Sequence, residues 1–518
     1  MSYYLGIEFG STRIKAVMVD EGHAVAAQGS HTWENQLVDG LWTYCLADVW
    51  TGVQHAVATL LDDLAARHGG RSPDIACIGV SAMMHGYLPF GAAAGDQLAG
   101  FRTWRNTNTG AASAALSGAL GMTIPLRWSI AHLYQAVLDG EPHVSGIAHL
   151  TTLAGYVHER LTGERVLGVG DASGMFPIDS ATCDWDAPRL DIAQGLLDGQ
   201  GAGIRLRDIL PRVLSAGQPA GVLTVEGARL LDPSGRIPAG TPCCPPEGDA
   251  GTGMVATNAV APRTGNVSAG TSIFAMVTLE RPLPHQHPEI DLVTTPVGDP
   301  VAMVHCNNGA SEIDAWARVF GQFAARAGHE VNPGQVFGTL FEAALDGEPD
   351  GGGLLAYNYL AGEPVTGLTQ GRPLIVRAPD SRLDLPNLAR TLIMSAFATL
   401  SLGMRTLTDE GVQVDALRAQ GGMFATPGVA QRLLAAALGV PVEVAATASE
   451  GGAWGMAVLA GYAADSHGLG LADYLAQVVF AHEQVATVAP DEADEAGFAR
   501  FLDSYRKGLA IQRVAMTL

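Results

Sequence analysis

Residues 3–9 (YYLGIEF) and 14–19 (IKAVMV) are β-rich runs separated by Gly10-Ser11-Thr12-Arg13, a pattern that predicts a β-hairpin with a tight polar turn. Residues 47–68 set Val49, Val53, Ala56, Val57, Leu60 and Leu61 on one face at helical spacing, so an amphipathic helix is expected. The apolar run IACIGVSAMM at 75–84 suits a strand covered on both faces. Strand and helix patterns alternate from there, which indicates an α/β fold with mixed sheets. A second hairpin is expected at 265–279 (GNVSAGTSIFAMVTL) and a long helix at 388–409. A strand at 416–422 (ALRAQGG) runs into a glycine turn and a helix at 427–438, and 451–463 reads as a tightly packed helix of small residues. The C-terminal 50 residues alternate acidic and apolar positions and predict surface helices.

Length divides this pattern in two. At 518 residues the chain exceeds what a single core usually holds, so two domains are expected. The Pro- and Gly-dense segment PSGRIPAGTPCCPPEGDAGTG at 233–253 suits the crossing, which gives domains of 1–255 and 256–518. The stretch Val267-Ser268-Ala269-Gly270-Thr271-Ser272 echoes Ile7-Glu8-Phe9-Gly10-Ser11-Thr12, each with a hydroxyl pair directly after a glycine at a hairpin tip. This reads as a short internal duplication.

Charge narrows the partners. The formal net charge is −22, which argues against nucleic acid as a ligand, because phosphate backbones call for a basic surface. The only lysines are Lys15 and Lys507. Six scattered cysteines show neither a CxxC nor zinc spacing. No apolar run reaches bilayer length, and the N-terminus lacks a basic region followed by an apolar stretch. The expectation is a cytoplasmic enzyme with no membrane partner.

Several short motifs could carry chemistry, and each also has an ordinary structural reading. In IEFGSTRIK (7–15), Gly10 lets backbone N–H groups approach a phosphate, Ser11 and Thr12 add hydroxyl donors, and Glu8 could hold Mg²⁺ through water. Lys15 lies near that turn. In GDAGTG (248–253), Asp249 suits a base for an attacking hydroxyl, or an Asx turn. VSAGTS (267–272) offers Gly270, Thr271 and Ser272 to a phosphate, or is a plain hairpin tip. AQGGMF (419–424) could lay a nucleoside against Gly421 and Gly422, or simply turn. In SAMMHGYL (81–88), His85 could bond a sugar hydroxyl while Met84 packs on the carbon skeleton, or His85 is structural. His285-Gln286-His287 reads as a solvated loop. Trp33, Trp42, Tyr44 and Trp50 include either a sugar-stacking ring or core rings.

Taken in order, the motifs resemble the FGGY carbohydrate kinases of the actin-like ATPase superfamily, from about residue 4 to about residue 463. IEFGSTRIK is similar to the family's first phosphate loop and MMHG (83–86) to the sugar-binding QMHG of its xylulose kinases. RTWRN (102–106) resembles the strand with the sugar-contacting acid, and LTGERVLGVGDASGMF (161–176) and ILPRVLSAGQPAGVL (209–223) resemble further first-domain segments. PEGDAG (246–251) resembles the catalytic aspartate loop and VSAGTS the second phosphate loop. YLAGE (359–363), AQGG and EGGAWGMAVLA (450–460) resemble later family motifs.

The resemblance implies two ribonuclease H-like domains, each a mixed five-stranded sheet flanked by helices, with a cleft between them. It implies transfer of the γ-phosphoryl group of ATP to a terminal hydroxyl of a ketose, a pentulose such as xylulose first among them. Asp249 would be the base. Glu8 and Asp249 would hold Mg²⁺. Gly10, Ser11, Thr12, Lys15, Gly270, Thr271 and Ser272 would serve the phosphates, and Gly421 and Gly422 the adenosine. Met84, His85, Asn106 and Asp249 would face the sugar. Family analogy adds a homodimer. Four departures stand out: Glu8 and Asn106 where the family usually has Asp, Met83 for the Gln of QMHG, and Ala436 where an acid is common. They leave room for a polyol or aldonate kinase, or for a catalytically silent sugar- or nucleotide-binding regulator. The sugar-side motifs argue against an actin-like or chaperone ATPase.

Overall fold

A computed structural model of the chain describes residues 2–68, 73–93, 95–445 and 451–518. The chain divides into two compact units. One comprises Met1–Val260, Asp291–Val301 and Ser449–His482; the other comprises Ala261–Ile290, Ala302–Ala448 and Glu483–Leu518.

The first unit is built on a five-stranded mixed sheet. In spatial order its strands are Glu247–Gly248, Asp74–Ala82, Ser2–Phe9, Arg13–Val19 and Val25–Thr32. The expected hairpin is present, with Ser2–Phe9 antiparallel to Arg13–Val19. Asp74–Ala82 lies parallel to Ser2–Phe9 on its other side. Apolar residues fill nearly every position of the first strand, because both faces of the sheet are covered. The helix Leu46–His68 packs on the strands Val25–Thr32 and Arg13–Val19 and buries Val49, Val53, Ala56, Val57, Leu60 and Leu61, the predicted stripe. Each larger side chain in such a stripe contributes on the order of 1.5–3 kcal/mol by burial. The helix Gly452–Ala464 also packs against the Ser2–Phe9 strand. Its small residues allow that approach, and most of its surface is buried.

The second unit repeats the plan. Ile273–Thr278, Thr264–Ala269, Ala416–Gln420, Val442–Ala445 and Val485–Val488 lie side by side in that order, in a sheet of seven strands rather than the five expected. The hairpin of 265–279 is present as an antiparallel pair. The helix Leu385–Asp409 starts at Asp384, whose side chain accepts the Asn387 N–H, with Pro386 in its first turn. The C-terminal stretch differs from the sequence expectation. It ends in the helix Glu492–Ala515, but Val485–Val488 is an edge strand antiparallel to Val442–Ala445. That strand is short and half exposed, so it has no buried alternation to betray it.

Among the described residues, no helix is long and apolar enough to cross a membrane. The loop histidines His285 and His287 both turn to one carboxylate, Glu410, at 3.0 and 2.6 Å. Among the described residues no group of three or more side chains could hold a metal ion.

Candidate active site

The first unit gathers Glu8, Lys15, Met84, His85 and Asp249. Asp249 opens the helix Asp249–Ala256 directly after the short strand Glu247–Gly248. The end of the neighbouring strand, Asp74–Ala82, delivers Met84, whose backbone N–H donates to Asp249 Oδ1 at 3.0 Å. That bond orients the carboxylate. The Asp249 side chain reaches solvent, yet protein packed around it raises its pKa above the ordinary aspartate value. The N–H groups of Met84 and Ala250 oppose that rise.

Glu8 stands directly across the hairpin from Lys15. Burial raises the Glu8 pKa first, Lys15 lowers it, and the charge of Asp249 raises it again. The backbone N–H of Ala453 also bonds its carboxylate. Glu8 thus sits at the N-terminus of the Gly452–Ala464 helix, where the dipole favours an anion. A β-carbon at Gly452 would come within 2.4 Å of Glu8 Oε1, so the glycine makes room for the longer acid. Two carboxylates that feel each other's charge at an accessible point fit a divalent cation whose other ligands are water and phosphate.

The turn at Gly10, Ser11 and Thr12 is held from behind. Trp33 Nε1 donates to Gly10 O at 2.7 Å, Tyr44 OH to Ser11 O at 2.6 Å, and Trp33 N to Thr12 O at 3.1 Å. In a planar trans peptide the next N–H points the opposite way. The N–H groups of Ser11, Thr12 and Arg13 therefore face away from Trp33 and Tyr44. These two rings are buried and stacked with centroids 4.2 Å apart, so their role is to brace the turn.

His85 is buried in a left-handed backbone conformation (φ 70°), a strain of about 1–3 kcal/mol at a bulky residue. Its Nδ1 lies 3.1 Å from Gly174 O. Burial pushes its pKa well down, aided by the Arg127 charge, so the ring is neutral. With Nδ1–H donating to the carbonyl, Nε2 is an acceptor.

RTWRN forms no strand; only Arg102 bridges Tyr87, and the buried Arg102 pairs with Glu141. The Asn106 amide is committed within the protein: Nδ2 donates to Trp42 O (2.8 Å) and Thr103 O (3.1 Å), and Oδ1 accepts from Trp42 N (2.8 Å). Asn106→Asp would set a carboxylate against two carbonyl oxygens. We expect it to destabilise the first unit by about 1–3 kcal/mol. Chemical denaturation checks this, and an unchanged midpoint would refute the structural role.

Two carboxyls near Asp249 escaped the sequence reading. Glu247 is buried and accepts the N–H groups of Asp171 (3.0 Å) and Gly170 (3.3 Å). Asp171 is buried and accepts the Thr152 hydroxyl at 2.6 Å. Burial pushes Asp171 up to about 7 and Glu247 up to about 8. Both lie inside segments that carry the family resemblance, Glu247 in PEGDAG and Asp171 in LTGERVLGVGDASGMF, but neither stands out there by residue type.

In the second unit, Gly270, Thr271 and Ser272 form the turn between Thr264–Ala269 and Ile273–Thr278. Gly270 N donates to Ser272 O at 3.0 Å. Gly421 comes beside this turn: it has φ 111°, and a β-carbon there would lie 2.3 Å from Ala269 O. Gly421 and Gly422 are solvent-accessible at the end of the strand Ala416–Gln420. Glu450, the first residue of the motif at 450–460, lies outside the described residues.

Comparisons with known proteins agree with this architecture. Residues 3–242 match the N-terminal domain of the FGGY family of carbohydrate kinases, and residues 265–464 match its C-terminal domain. The chain belongs to the FGGY family of carbohydrate kinases and is a phosphotransferase with an alcohol acceptor. Among solved structures it is similar to the xylulose kinase from Rhodospirillum rubrum, at TM-score 0.80 and 19% identity over 98% of each chain. It is similar to the gluconate kinase from Lactobacillus acidophilus at TM-score 0.78 and 19% identity, over 98% of this chain and 97% of that one. It is also similar to the glycerol kinase from Plasmodium falciparum at TM-score 0.76 and 14% identity, over 99% and 98%. No curated protein matches the sequence.

Proposed function

We propose that this carbohydrate kinase transfers the γ-phosphoryl group of ATP to a terminal hydroxyl of a ketose, a pentulose such as xylulose first among them. What supports this reading is Asp249, a solvent-reaching carboxylate aimed by the Met84 N–H at the start of its helix. In the reaction Asp249 Oδ2 accepts the proton of the sugar hydroxyl as its oxygen bonds to the γ-phosphorus. The bond from phosphorus to the β–γ bridging oxygen breaks, and ADP leaves. His85 Nε2 accepts a hydrogen bond from a sugar hydroxyl, and the Met84 side chain lies against the carbon skeleton. Residues 1–255 bind the sugar and residues 256–518 the nucleotide.

Glu8 and Asp249 hold Mg²⁺, largely through water; when bound it neutralises phosphate charge. The outward N–H groups of Ser11 and Thr12, and the turn at Gly270, Thr271 and Ser272, take phosphate oxygens. Lys15 offsets the Glu8 charge beside them. Gly421 and Gly422 leave flat space for the adenosine. Met84, His85 and Asn106 face the sugar, with the Asn106 amide oriented by Trp42 and Thr103 and the second lone pair of its Oδ1 left to accept from a sugar hydroxyl.

Similarity to xylulose, gluconate and glycerol kinases alike means that fold does not choose the acceptor. The test is ADP release with a panel of pentuloses, hexuloses, heptuloses, polyols and aldonates. We expect a pentulose to give the highest kcat/KM. A polyol or aldonate at the top would reassign the substrate class. No release above the ATP background on any acceptor would leave a binding regulator instead.

A further inference from the structure

The YLAGE segment (359–363) lies in the second unit, and its Glu363 is fully buried. Oε2 accepts the Asn308 side-chain amide at 3.0 Å, while Oε1 has no partner at hydrogen-bonding distance. Asn308 is itself buried and clamps the segment: its Oδ1 accepts the N–H groups of Leu360 (2.8 Å) and Ala361 (2.9 Å). Asn358 returns the grip, donating through Nδ2 to the carbonyls of Asn308 (2.9 Å) and Gly309 (3.0 Å). Tyr359 anchors the far side, with its OH 2.8 Å from Tyr505 OH and 3.1 Å from Thr399 Oγ1.

What this clamp holds is the stretch behind the second hairpin turn. Gly309 N donates to Thr271 O and Ala310 N to Gly270 O, both at 2.8 Å. The approach is so close that a β-carbon on Gly309 would lie 2.3 Å from Gly270 O. With these carbonyls drawn back, the N–H groups of the same peptides, on Thr271 and Ser272, point the other way. Trp33 and Tyr44 brace the first hairpin turn by the same logic.

We propose that Glu363 and Asn308 are a positioning pair that fixes the Gly270–Ser272 turn through Gly309 and Ala310, so that its N–H groups are set to receive nucleotide phosphate. The inference rests on the reading of that turn as a phosphate loop. A buried charge is costly even where N–H groups face it, which makes the pair sensitive to the Glu363 proton. Burial pushes Glu363 up to about 7, against the N–H groups of Asn308, Asn307 and Val365. The titratable groups facing it are Cys306 and Tyr359, both raised by burial and neutral near pH 7.

The experiment measures Mg-ADP binding to the full-length protein by calorimetry between pH 6 and 8.5, with folding checked by circular dichroism. Glu363→Ala and Asn308→Ala are expected to weaken Mg-ADP by about 10-fold or more, a loss of ~1.4 kcal/mol. Wild-type affinity should fall as Glu363 ionises on raising pH through about 7. Glu363→Gln, which keeps an acceptor for Asn308 and cannot ionise, should recover most of the alanine loss and remove that step. Thr271→Pro, which deletes one of those N–H groups, reports on the turn itself. If folded Thr271→Pro weakens Mg-ADP while folded Glu363→Ala and Asn308→Ala bind as wild type, the positioning role is overturned and the phosphate loop stands. If folded Thr271→Pro and both clamp variants all bind as wild type, the phosphate reading of the turn fails. Should Glu363→Ala not fold, Glu363→Gln decides through the pH step, whose persistence would overturn the role of Glu363.

Discussion

Replacing Asp249 with alanine or asparagine is expected to lower turnover by about 10²–10⁴-fold while the protein stays folded. The two variants separate charge from scaffold. Asparagine keeps an acceptor for the Met84 N–H but cannot take the proton of the attacking hydroxyl. Alanine removes both. If the base reading holds, asparagine is nearly as damaging as alanine. Turnover of Asp249→Asn within 10-fold of wild type would move the base elsewhere. The pH dependence adds a sign. A base acts when deprotonated, so activity is lost as pH falls through its pKa. Burial holds that pKa above the ordinary 3.8, so the acid limb should lie above pH 3.8 in wild type.

Gly6→Ala is expected to destabilise the fold by about 3 kcal/mol or more. Gly6 sits in the middle of the Ser2–Phe9 strand, opposite Val17 on one side and Gly79 on the other. A β-carbon there would lie 2.1 Å from Ala453 O and 2.4 Å from Ala457 N. Both are helix backbone, so no rotamer change relieves the clash. The helix Gly452–Ala464 would have to lift from the sheet and take the Ala453 N–H away from Glu8. Chemical denaturation measures the effect. A midpoint equal to wild type would mean that this helix does not pack where the structure places it.

Much of the frame was legible because burial leaves a period in the sequence. Both hairpins show β-rich runs with a glycine and two hydroxyl residues at the tip, and 47–68 shows its stripe at helical spacing. The candidate chemistry at Asp249, Glu8 and His85 was visible as residue type next to glycine. Other features left no such mark. The edge strand Val485–Val488 is half exposed, so its pattern merged with neighbouring helical signals. Asn106 was visible by its position in a motif, but its three hydrogen bonds to the backbone of Trp42 and Thr103 were not. Asp171 and Glu247 are far apart in sequence, and nothing local to either announces a buried carboxyl pair.

The sequence by itself determined the α/β class, the two hairpin turns, the family resemblance and the residue types of the candidate site. These are local properties, written in periodicity, turn chemistry and short spacings. Only the tertiary structure decided which sheet receives the helix Gly452–Ala464. That helix is small and buried on nearly all sides, so its sequence carries no face that names a partner. The match is made by Gly6 and Gly452, which admit the helix backbone and the Glu8 carboxylate at separations that a side chain would forbid. The second turn is set the same way, by Gly309, Asn308 and Glu363. Long-range steric fit and the satisfaction of buried hydrogen bonds depend on where distant segments meet, and no local pattern records that.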